Sequence, residues 1–273
     1  MTHVKQSLLA FTLFLLPGLA SWATPPENVR SLTVAHRGLL LHAPENTLAN
    51  FRACLELRIG FELDVCRSKD GQLVCIHDQT VDRTTNGRGM VNQFTLAELK
   101  KLDAGSWFSS AFRGQTIPTI DEVFQLLAAY PQSEVLIAVD IKQNDTKVER
   151  DLVQMANRHS VLDRLLFIGN TISDAAVRGR LYQTSQSAHI AHVAHNPQEL
   201  VDSMNDPQAD WVYVRYLPSS KEVQRIHAKG KRVFIAGKTV SGEERTNWRV
   251  ASEIGIDAIL TDHPLKLQSI LRE

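Results

Sequence analysis

Short apolar runs alternate with amphipathic stretches along most of the chain. The runs are rich in β-branched residues and are bounded by glycine, proline or polar residues, which is typical of strands. The predicted strands are Thr33–His36, Phe61–Val65, Leu73–Ile76, Val135–Ile141, Leu165–Ile168, Ala188–Val193, Trp211–Arg215, Val233–Ile235 and Ala258–Leu260. Apolar residues at helical spacing predict helices between most of these strands, for example Asn46–Ile59, Thr95–Leu102, Thr119–Ala129, Lys147–His159, Lys221–Lys229 and Glu243–Ile254.

Strand–helix alternation over the whole chain predicts an α/β fold with a parallel sheet. The number of repeats favours a closed TIM-type (β/α)₈ barrel, and a chain of 273 residues is long enough for one, since such barrels take about 250. Only the turn Lys69-Asp70-Gly71 separates Phe61–Val65 from Leu73–Ile76. We therefore expect a barrel that is irregular between its second and third strands. No linker divides the chain, so residues 30–273 are expected to form a single catalytic domain.

The first residues have the pattern of an export signal. Lys5 precedes the apolar run Leu8–Ala20, and Ser21 and Ala23 place small residues before a cleavage site. The run is shorter than the roughly 20 residues that a membrane-spanning helix needs, which argues against an anchor. We therefore expect residues 1–23 to be a cleaved signal peptide and the mature protein to be secreted or periplasmic.

Charge and cysteine content narrow the classes of partner. Lysine plus arginine equal aspartate plus glutamate, at 30 each, so the basic bias typical of a nucleic-acid binder is missing. No later apolar run is long enough to predict stable membrane insertion, and the sequence does not show the oligomeric state.

The favoured interpretation of the three cysteines is buried thiols, and the alternative is a disulfide between Cys66 and Cys75 with Cys54 free.

Charged and imidazole residues cluster at the C-terminal ends of the predicted strands. In a barrel these ends meet at one mouth, where active sites are built. Acidic residues two positions apart on a strand share one face, and burying them is costly unless they are paired or bind a metal. The pairs at successive strand ends are His36 and Arg37, Glu62 and Asp64, His77 and Asp78, and Asp140 and Lys142.

These residue types suit the cleavage of a phosphodiester. Carboxylates are hard oxygen donors, which predicts one divalent cation, Ca²⁺ or Mg²⁺. Imidazoles titrate near neutral pH and serve as general acid and base, while guanidinium and ammonium groups neutralise phosphate. The predicted roles are metal ligands for Glu62, Asp64 and Asp140, acid and base for His36 and His77, and phosphate contacts for Arg37 and Lys142.

A series of short motifs resembles the glycerophosphodiester phosphodiesterase family. Each motif alone is weakly specific, but their order and spacing together are very specific. The similarity is dense between residues 35 and 89 and looser up to Asp140-Ile141-Lys142 and Thr261-Asp262-His263-Pro264. The dense motifs are Val34-Ala35-His36-Arg37-Gly38, Pro44-Glu45-Asn46-Thr47, Phe61-Glu62-Leu63-Asp64-Val65, Lys69-Asp70-Gly71, Ile76-His77-Asp78 and Asp82-Arg83-Thr84-Thr85-Asn86-Gly87.

The resemblance implies a TIM barrel that hydrolyses glycerophosphodiesters to glycerol 3-phosphate and an alcohol, with one bound Ca²⁺ or Mg²⁺. It implies the same roles for the seven residues above, and a two-step reaction through a cyclic phosphate. It also places Glu45 beside the metal, as a ligand or as an orienting partner of Arg37. Asp78 is interpreted as an orienting or loop-capping residue.

One residue and one segment depart from the family pattern. Asp140 stands where the family usually has glutamate, and Ile235-Ala236-Gly237-Lys238-Thr239 replaces a frequent Trp-Thr-Val-Asn. The second change alters a wall of the pocket, so Lys238 and Arg215 are candidate substrate contacts. Asp262 is interpreted as structural.

Two other functions compete with this hydrolase. One is a related phospholipase-type phosphodiesterase acting on lysophospholipid or phospholipid headgroups, although no basic amphipathic helix supports membrane binding. The other is a catalytically dead phosphate-binding barrel. The intact His36, His77, Glu62 and Asp64 argue against the second, while Asp140 keeps it open.

Overall fold

Eight parallel strands close into a barrel in the computed structural model, which describes residues 31–131, 135–143 and 145–272. Going round the barrel, the order is β1-β9-β8-β7-β6-β5-β4-β2, and pairing of β1 with β2 closes it. The predicted TIM-type barrel is confirmed. The predicted signal peptide, residues 1–23, lies outside the described residues and stays a prediction. The strands are β1 (Leu32–Ala35), β2 (Gly60–Arg67), β3 (Leu73–Cys75), β4 (Ile137–Ile141), β5 (Leu165–Ile168), β6 (His189–Ala194), β7 (Trp211–Val214), β8 (Arg232–Ile235) and β9 (Ala258–Thr261).

Helices connect the parallel strands and surround the barrel. Several begin with a capping box, in which a Thr or Ser side chain and a Glu three residues later satisfy backbone N–H groups. Thr95 and Glu98 form such a box at the start of the predicted helix Thr95–Leu102, and Thr119 and Glu122 form another at the start of the predicted helix Thr119–Ala129. No helix of the described ranges is long and apolar enough to cross a membrane. The helices are α1 (Leu48–Glu56), α2 (Leu96–Leu99), α3 (Ile120–Ala128), α4 (Val148–Arg158), α5 (Ala175–Thr184), α6 (Leu200–Asn205), α7 (Ser220–His227), α8 (Arg245–Glu253) and α9 (Pro264–Arg272).

The expected irregularity lies at β3, which is not a barrel strand. β3 pairs antiparallel with the C-terminal half of β2, Val65 opposite Cys75. β1 pairs only with Gly60 and Phe61 at the start of β2, so the rest of that edge is free for β3. The connection between β2 and β3 is too short for a parallel crossover, which takes a dozen residues or more. β3 is therefore an additional strand that lies outside the closed barrel, next to the C-terminal end of β2.

Alternation along each strand divides the apolar residues into two layers. Leu166, Trp211 and Phe234 belong to the cluster inside the barrel, while Phe167 and Val212 pack between the strands and the outer helices. Fully burying a Leu or Phe side chain contributes about 1.5–3 kcal/mol. These two layers hold the strand ends, and the side chains on them, in fixed positions.

Cys54, Cys66 and Cys75 are buried free thiols. In the β2–β3 ladder, Cys66 lies opposite Val74 and Cys75 opposite Val65. This offset of one residue directs the two thiols to opposite faces of the ladder, since side chains alternate along a strand. The alternative of a Cys66–Cys75 disulfide does not form.

Candidate active site

The C-terminal ends of the strands surround a cavity of about 240 Å³, here called the mouth cavity. Its lining combines apolar residues with charged residues, so the cavity offers both an apolar surface and groups that can bind anions and cations. The lining residues are His36, Glu62, Asp140, Ile168, Tyr213, Arg215, Ala236, Gly237, Lys238, Ser241 and Leu260.

Glu62, Asp64 and Asp140 form an acidic cluster at one side of the mouth cavity. Glu62 and Asp64 lie two residues apart on β2, and Asp140 on β4 is the direct partner of Asp64 in the parallel register. Each of the three offers a carboxylate oxygen, and these oxygens all lie within 4.8 Å of one another. β-strand periodicity and register therefore suffice to bring the three acids together.

The cluster has more negative charge than its partners compensate. Burial, followed by repulsion from Asp64 and Asp140, raises the pKa of the fully buried Glu62 well above the usual glutamate value. Burial also raises the pKa of Asp140. Burial acts in the same direction on Asp64, but its ion pair with the Lys142 ammonium lowers the pKa overall. The Lys142 ammonium and the Arg37 guanidinium, 3.7 Å from Asp64, face three carboxylates, of which two are buried and Asp140 is half-buried, so a deficit of positive charge remains.

The residues of the cluster fit a divalent cation. Asp64 Oδ1 is buried and accepts no hydrogen bond of regular geometry, although Lys142 Nζ lies 2.9 Å away as an ion-pair partner. Lys142 Nζ also lies 2.5 Å from Asp140 Oδ2. Three hard oxygen donors around an uncompensated charge are the environment that Ca²⁺ and Mg²⁺ prefer.

The raised pKa of Glu62 predicts a pH-dependent cost to stability in chelator. Folding raises the pKa of the Glu62 carboxyl above its value in the unfolded chain, which is about 4.3. The contribution of this group to stability is therefore fully present below about pH 4.3 and is lost as the pH rises through the pKa of the folded protein. Each unit of the shift costs about 1.4 kcal/mol, and glutamine avoids the cost. We expect the melting temperature of Glu62→Gln to exceed that of the wild type by an amount that grows with pH.

Calorimetric melting over the acidic to neutral range checks this prediction, with Glu253→Gln as the control. Glu253 is exposed, so its variant should follow the wild type at every pH. Added Ca²⁺ or Mg²⁺ should remove the advantage of Glu62→Gln. A difference that does not change with pH would contradict the prediction.

Arg37 leaves β1 in a conformation that turns its backbone and its side chain toward the acids. Its φ is +53°, its N–H donates to Glu62 Oε2 at 2.9 Å, and its Nη1 donates to Glu45 Oε1 at 3.1 Å. Gly38 follows with φ +81°, and a Cβ there would lie 2.1 Å from Asn50 Oδ1. Arg37 Nε is buried without a hydrogen bond of regular geometry and lies 3.7 Å from Asp64 Oδ2, so the guanidinium also faces the central acid of the cluster.

Each of the two histidines predicted as acid and base contacts a carboxylate through Nδ1. His36 Nδ1 lies 2.7 Å from Asp262 Oδ1, and His77 Nδ1 lies 2.7 Å from Asp78 Oδ1. His36 lines the mouth cavity, and His77 is close enough to Asp64 and Asp140 to interact electrostatically with both carboxylates. The two imidazoles therefore border the same acidic cluster.

Asp262, interpreted from the sequence as structural, lies against the imidazole of His36 in the structure. It follows β9, whose pairing with β1 places Thr261 beside Ala35 and so brings the next residue of each strand, Asp262 and His36, together. The two residues are 226 positions apart in the chain. The signal that could have found Asp262 is its place in the last motif of the family resemblance.

Arg83, which belongs to one of the motifs of the family resemblance, joins the two sides of the site. Its guanidinium donates to both carboxylate oxygens of Glu45, at 2.7 and 2.8 Å, and to both of Asp78, at 2.7 and 3.1 Å. The hydrogen bond from Arg83, the largest cause, lowers the pKa of Asp78 to about 2. Arg83 thus connects the carboxylate beside His77 to the carboxylate beside Arg37.

Asn46 orients the central acid of the cluster. Its Nδ2 donates to Asp64 Oδ2 at 2.7 Å, and its Oδ1 accepts from the Asp64 N–H at 3.3 Å. The neighbouring Thr47 caps α1, because its side chain accepts from the backbone N–H of Asn50. With the cap provided by its neighbour, the side chain of Asn46 is free to hold Asp64.

Comparison with known proteins agrees with this geometry. The sequence profile of the glycerophosphoryl diester phosphodiesterase family matches residues 36–266. A glycerophosphodiester phosphodiesterase of Caldanaerobacter subterraneus is 44% identical over 258 residues, which cover 90% of this chain and 99% of that protein. One of Bacillus subtilis is 32% identical, over 67% of this chain and 68% of that protein.

Solved structures of the family share the fold. A glycerophosphodiester phosphodiesterase of Agrobacterium tumefaciens superposes with a TM-score of 0.75 at 23% identity, covering 88% of this chain and 99% of the other. An Oleispira antarctica phosphodiesterase in complex with its product sn-glycerol-3-phosphate gives a TM-score of 0.72 at 25% identity, covering 89% and 98%. The chain described here therefore belongs to the glycerophosphoryl diester phosphodiesterase family.

Proposed function

We propose that this protein hydrolyses glycerophosphodiesters to glycerol 3-phosphate and an alcohol, with the help of one divalent cation. The observation that carries the proposal is the acidic cluster, bordered by two imidazoles and by the cationic groups of Arg37 and Lys142. The family relatives named above act on, or bind the product of, the same class of substrate.

The cation is held by Glu62, Asp64 and Asp140, in a cluster where its charge removes the repulsion between the carboxylates. When bound, it supplies Lewis-acid chemistry, stabilising negative charge on the phosphoryl oxygens. The side chain of Asp140 is one methylene shorter than the glutamate that is usual at this position in the family. Gly169 leaves the space for the Asp140 carboxylate, because a Cβ at Gly169 would lie 1.9 Å from Asp140 Oδ1.

Arg37 and Lys142 bind the phosphate of the diester. The Arg37 guanidinium is held by Glu45 and lies 3.7 Å from Asp64, so its positive charge is fixed beside the acidic cluster. Lys142 contacts Asp64 and Asp140, and an ammonium group has three donors, so one remains. Both groups are held by carboxylates of the site, so they need little reorganisation when the charge on the phosphate increases.

The histidines transfer protons at Nε2. Because Asp262 and Asp78 contact Nδ1 of His36 and His77, Nε2 is the atom of each ring left for substrate. One imidazole takes the proton of the glycerol hydroxyl next to the phosphate, whose oxygen attacks phosphorus. The other protonates the departing alcohol. Water then opens the cyclic phosphate with the roles reversed, and glycerol 3-phosphate leaves.

Hydrolysis of glycerophosphocholine in ¹⁸O-water tests the reaction. We expect glycerol 3-phosphate carrying one ¹⁸O on phosphorus, choline without label, and a transient cyclic phosphate signal in ³¹P NMR. A parallel assay with lysophosphatidylcholine tests the phospholipase-type alternative. Label in choline would contradict attack at phosphorus, and preferred cleavage of the lysophospholipid would favour the alternative.

A further inference from the structure

Two cations on one wall of the mouth cavity have no role in the reaction described above. Arg215 follows β7 and Lys238 lies three residues after β8, and both line the cavity together with His36 and Asp140. Both are exposed. Within the residues that the structure describes, neither forms an ion pair with a carboxylate.

The guanidinium of Arg215 is held in place despite its exposure. Its Nη1 donates to the Tyr213 hydroxyl at 2.5 Å, and its Cζ lies 5.6 Å from the centre of the Tyr213 ring, within the range of a cation–π contact. Gly237 provides the space, since a Cβ there would lie 3.3 Å from Arg215 Nε. A group fixed in this way loses little conformational entropy when it binds a ligand.

Glu62 also lines this cavity, and its hydrogen-bond partner is the backbone N–H of Arg37, so the proposed divalent cation would compensate its charge. The other acidic groups near this wall already have cationic or imidazole partners. The diester phosphate carries a single negative charge and has Arg37 and Lys142 as its own partners. With the divalent cation and Lys142 balancing the three acids of the cluster, the cavity holds two positive charges beyond those that the reacting group uses. The partnered carboxylates are Asp64 and Asp140 with Lys142, Glu45 with Arg37 and Arg83, Asp262 with His36, and Glu243 with Arg245 and Lys266.

We propose that Arg215 and Lys238 bind a second anionic group of the substrate, a carboxylate or phosphate carried by the alcohol that leaves. The glycerol half offers only hydroxyl groups, so a further negative charge has to belong to the other alcohol. This inference rests on the proposed function and specifies its substrate class. The enzyme prefers glycerophosphodiesters with an anionic headgroup to those with a neutral or cationic one.

A matched pair of diesters tests this preference: glycerophosphoglycerol, and the same compound with a terminal phosphate. The variants are Arg215→Met, Lys238→Met and the double variant, with Lys221→Met on α7 as the control, since Lys221 is exposed and lies outside the cavity. Partly exposed ion pairs are individually weak, because water and salt screen them. We expect the double variant to lose roughly 3–10-fold in kcat/KM on the phosphorylated diester, mainly through KM, and to keep its rate on the neutral one.

The outcomes of the experiment distinguish a failure of this inference from a failure of the proposed function. Equal losses on both diesters would show that the two cations serve the reacting phosphate, and unchanged rates would show that they bind nothing; either result overturns the inference. Turnover of neither diester by the wild type would be a failure of the proposed function instead. Calorimetry with the two intact diesters then tests the inference separately, because it predicts tighter binding of the phosphorylated one by the wild type and equal binding by the double variant.

Discussion

Replacing His36 or His77 with alanine is expected to lower kcat by about 10²-fold or more. Each imidazole is held at Nδ1 by a carboxylate at 2.7 Å, so removing the ring removes a positioned proton donor or acceptor that water replaces poorly. Steady-state kinetics with glycerophosphocholine measure the effect. Binding should change little, and the loss should therefore fall on kcat.

A substrate with an activated leaving group distinguishes the two histidines. If glycerol phosphate is esterified to p-nitrophenol, the leaving group departs as an anion and needs no proton. The variant that lacks the general acid should then recover most of its rate in the first step, while the variant that lacks the base should not. The same assay therefore assigns the two roles, which the geometry around His36 and His77 does not distinguish.

His195→Ala is the control for these variants, because His195 pairs with Glu199 on the surface and has no part in the site. It should keep the wild-type kcat, and all three variants should keep the wild-type melting temperature to within a few degrees. A near-normal rate in His36→Ala or His77→Ala would remove that residue from the mechanism.

Removing the proposed divalent cation is the second change with a large expected effect. In excess chelator, kcat/KM should fall by at least about 10²-fold, since Lewis-acid stabilisation supplies several kcal/mol in such reactions. Adding back Ca²⁺ or Mg²⁺ should restore the rate. The comparison of the two ions also identifies which one the cluster with Asp140 prefers.

Variants of the acidic cluster connect this loss to named residues. Glu62→Gln and Asp64→Asn should each weaken cation binding, measured by calorimetry on the purified protein, by about tenfold or more. Asp202→Asn is the matched control because Asp202 is exposed on α6. Full activity in chelator, or unchanged cation affinity in both cluster variants, would contradict the assignment.

Much of the fold follows from patterns that neighbouring residues determine. Apolar runs of strand length and capping pairs such as Thr95 and Glu98 are local signals, and they placed the barrel strands and several helices close to their observed bounds. Helix ends were less predictable. α1 ends at Glu56, before the predicted Ile59, because Arg58 adopts a positive φ of 55° that a helix does not contain.

The closed barrel, and the acids, imidazoles and cations at its strand ends, follow from the amino-acid sequence without knowledge of the tertiary structure. This was possible because a strand has a period of two and a barrel gathers its strand ends at one mouth. Glu62, Asp64 and Asp140 are brought together by these two rules alone.

The contacts that hold and orient these groups depend on the tertiary structure. The pairing of His36 with Asp262 depends on contact between the first and last strands. The bridge from Arg83 to Glu45 depends on a loop folding back over the mouth, and the exposed pair of Arg215 and Lys238 depends on two neighbouring strand ends. These contacts join residues far apart in the chain, and periodicity gives no information on them because it describes only how a segment is oriented, not which segment it will meet.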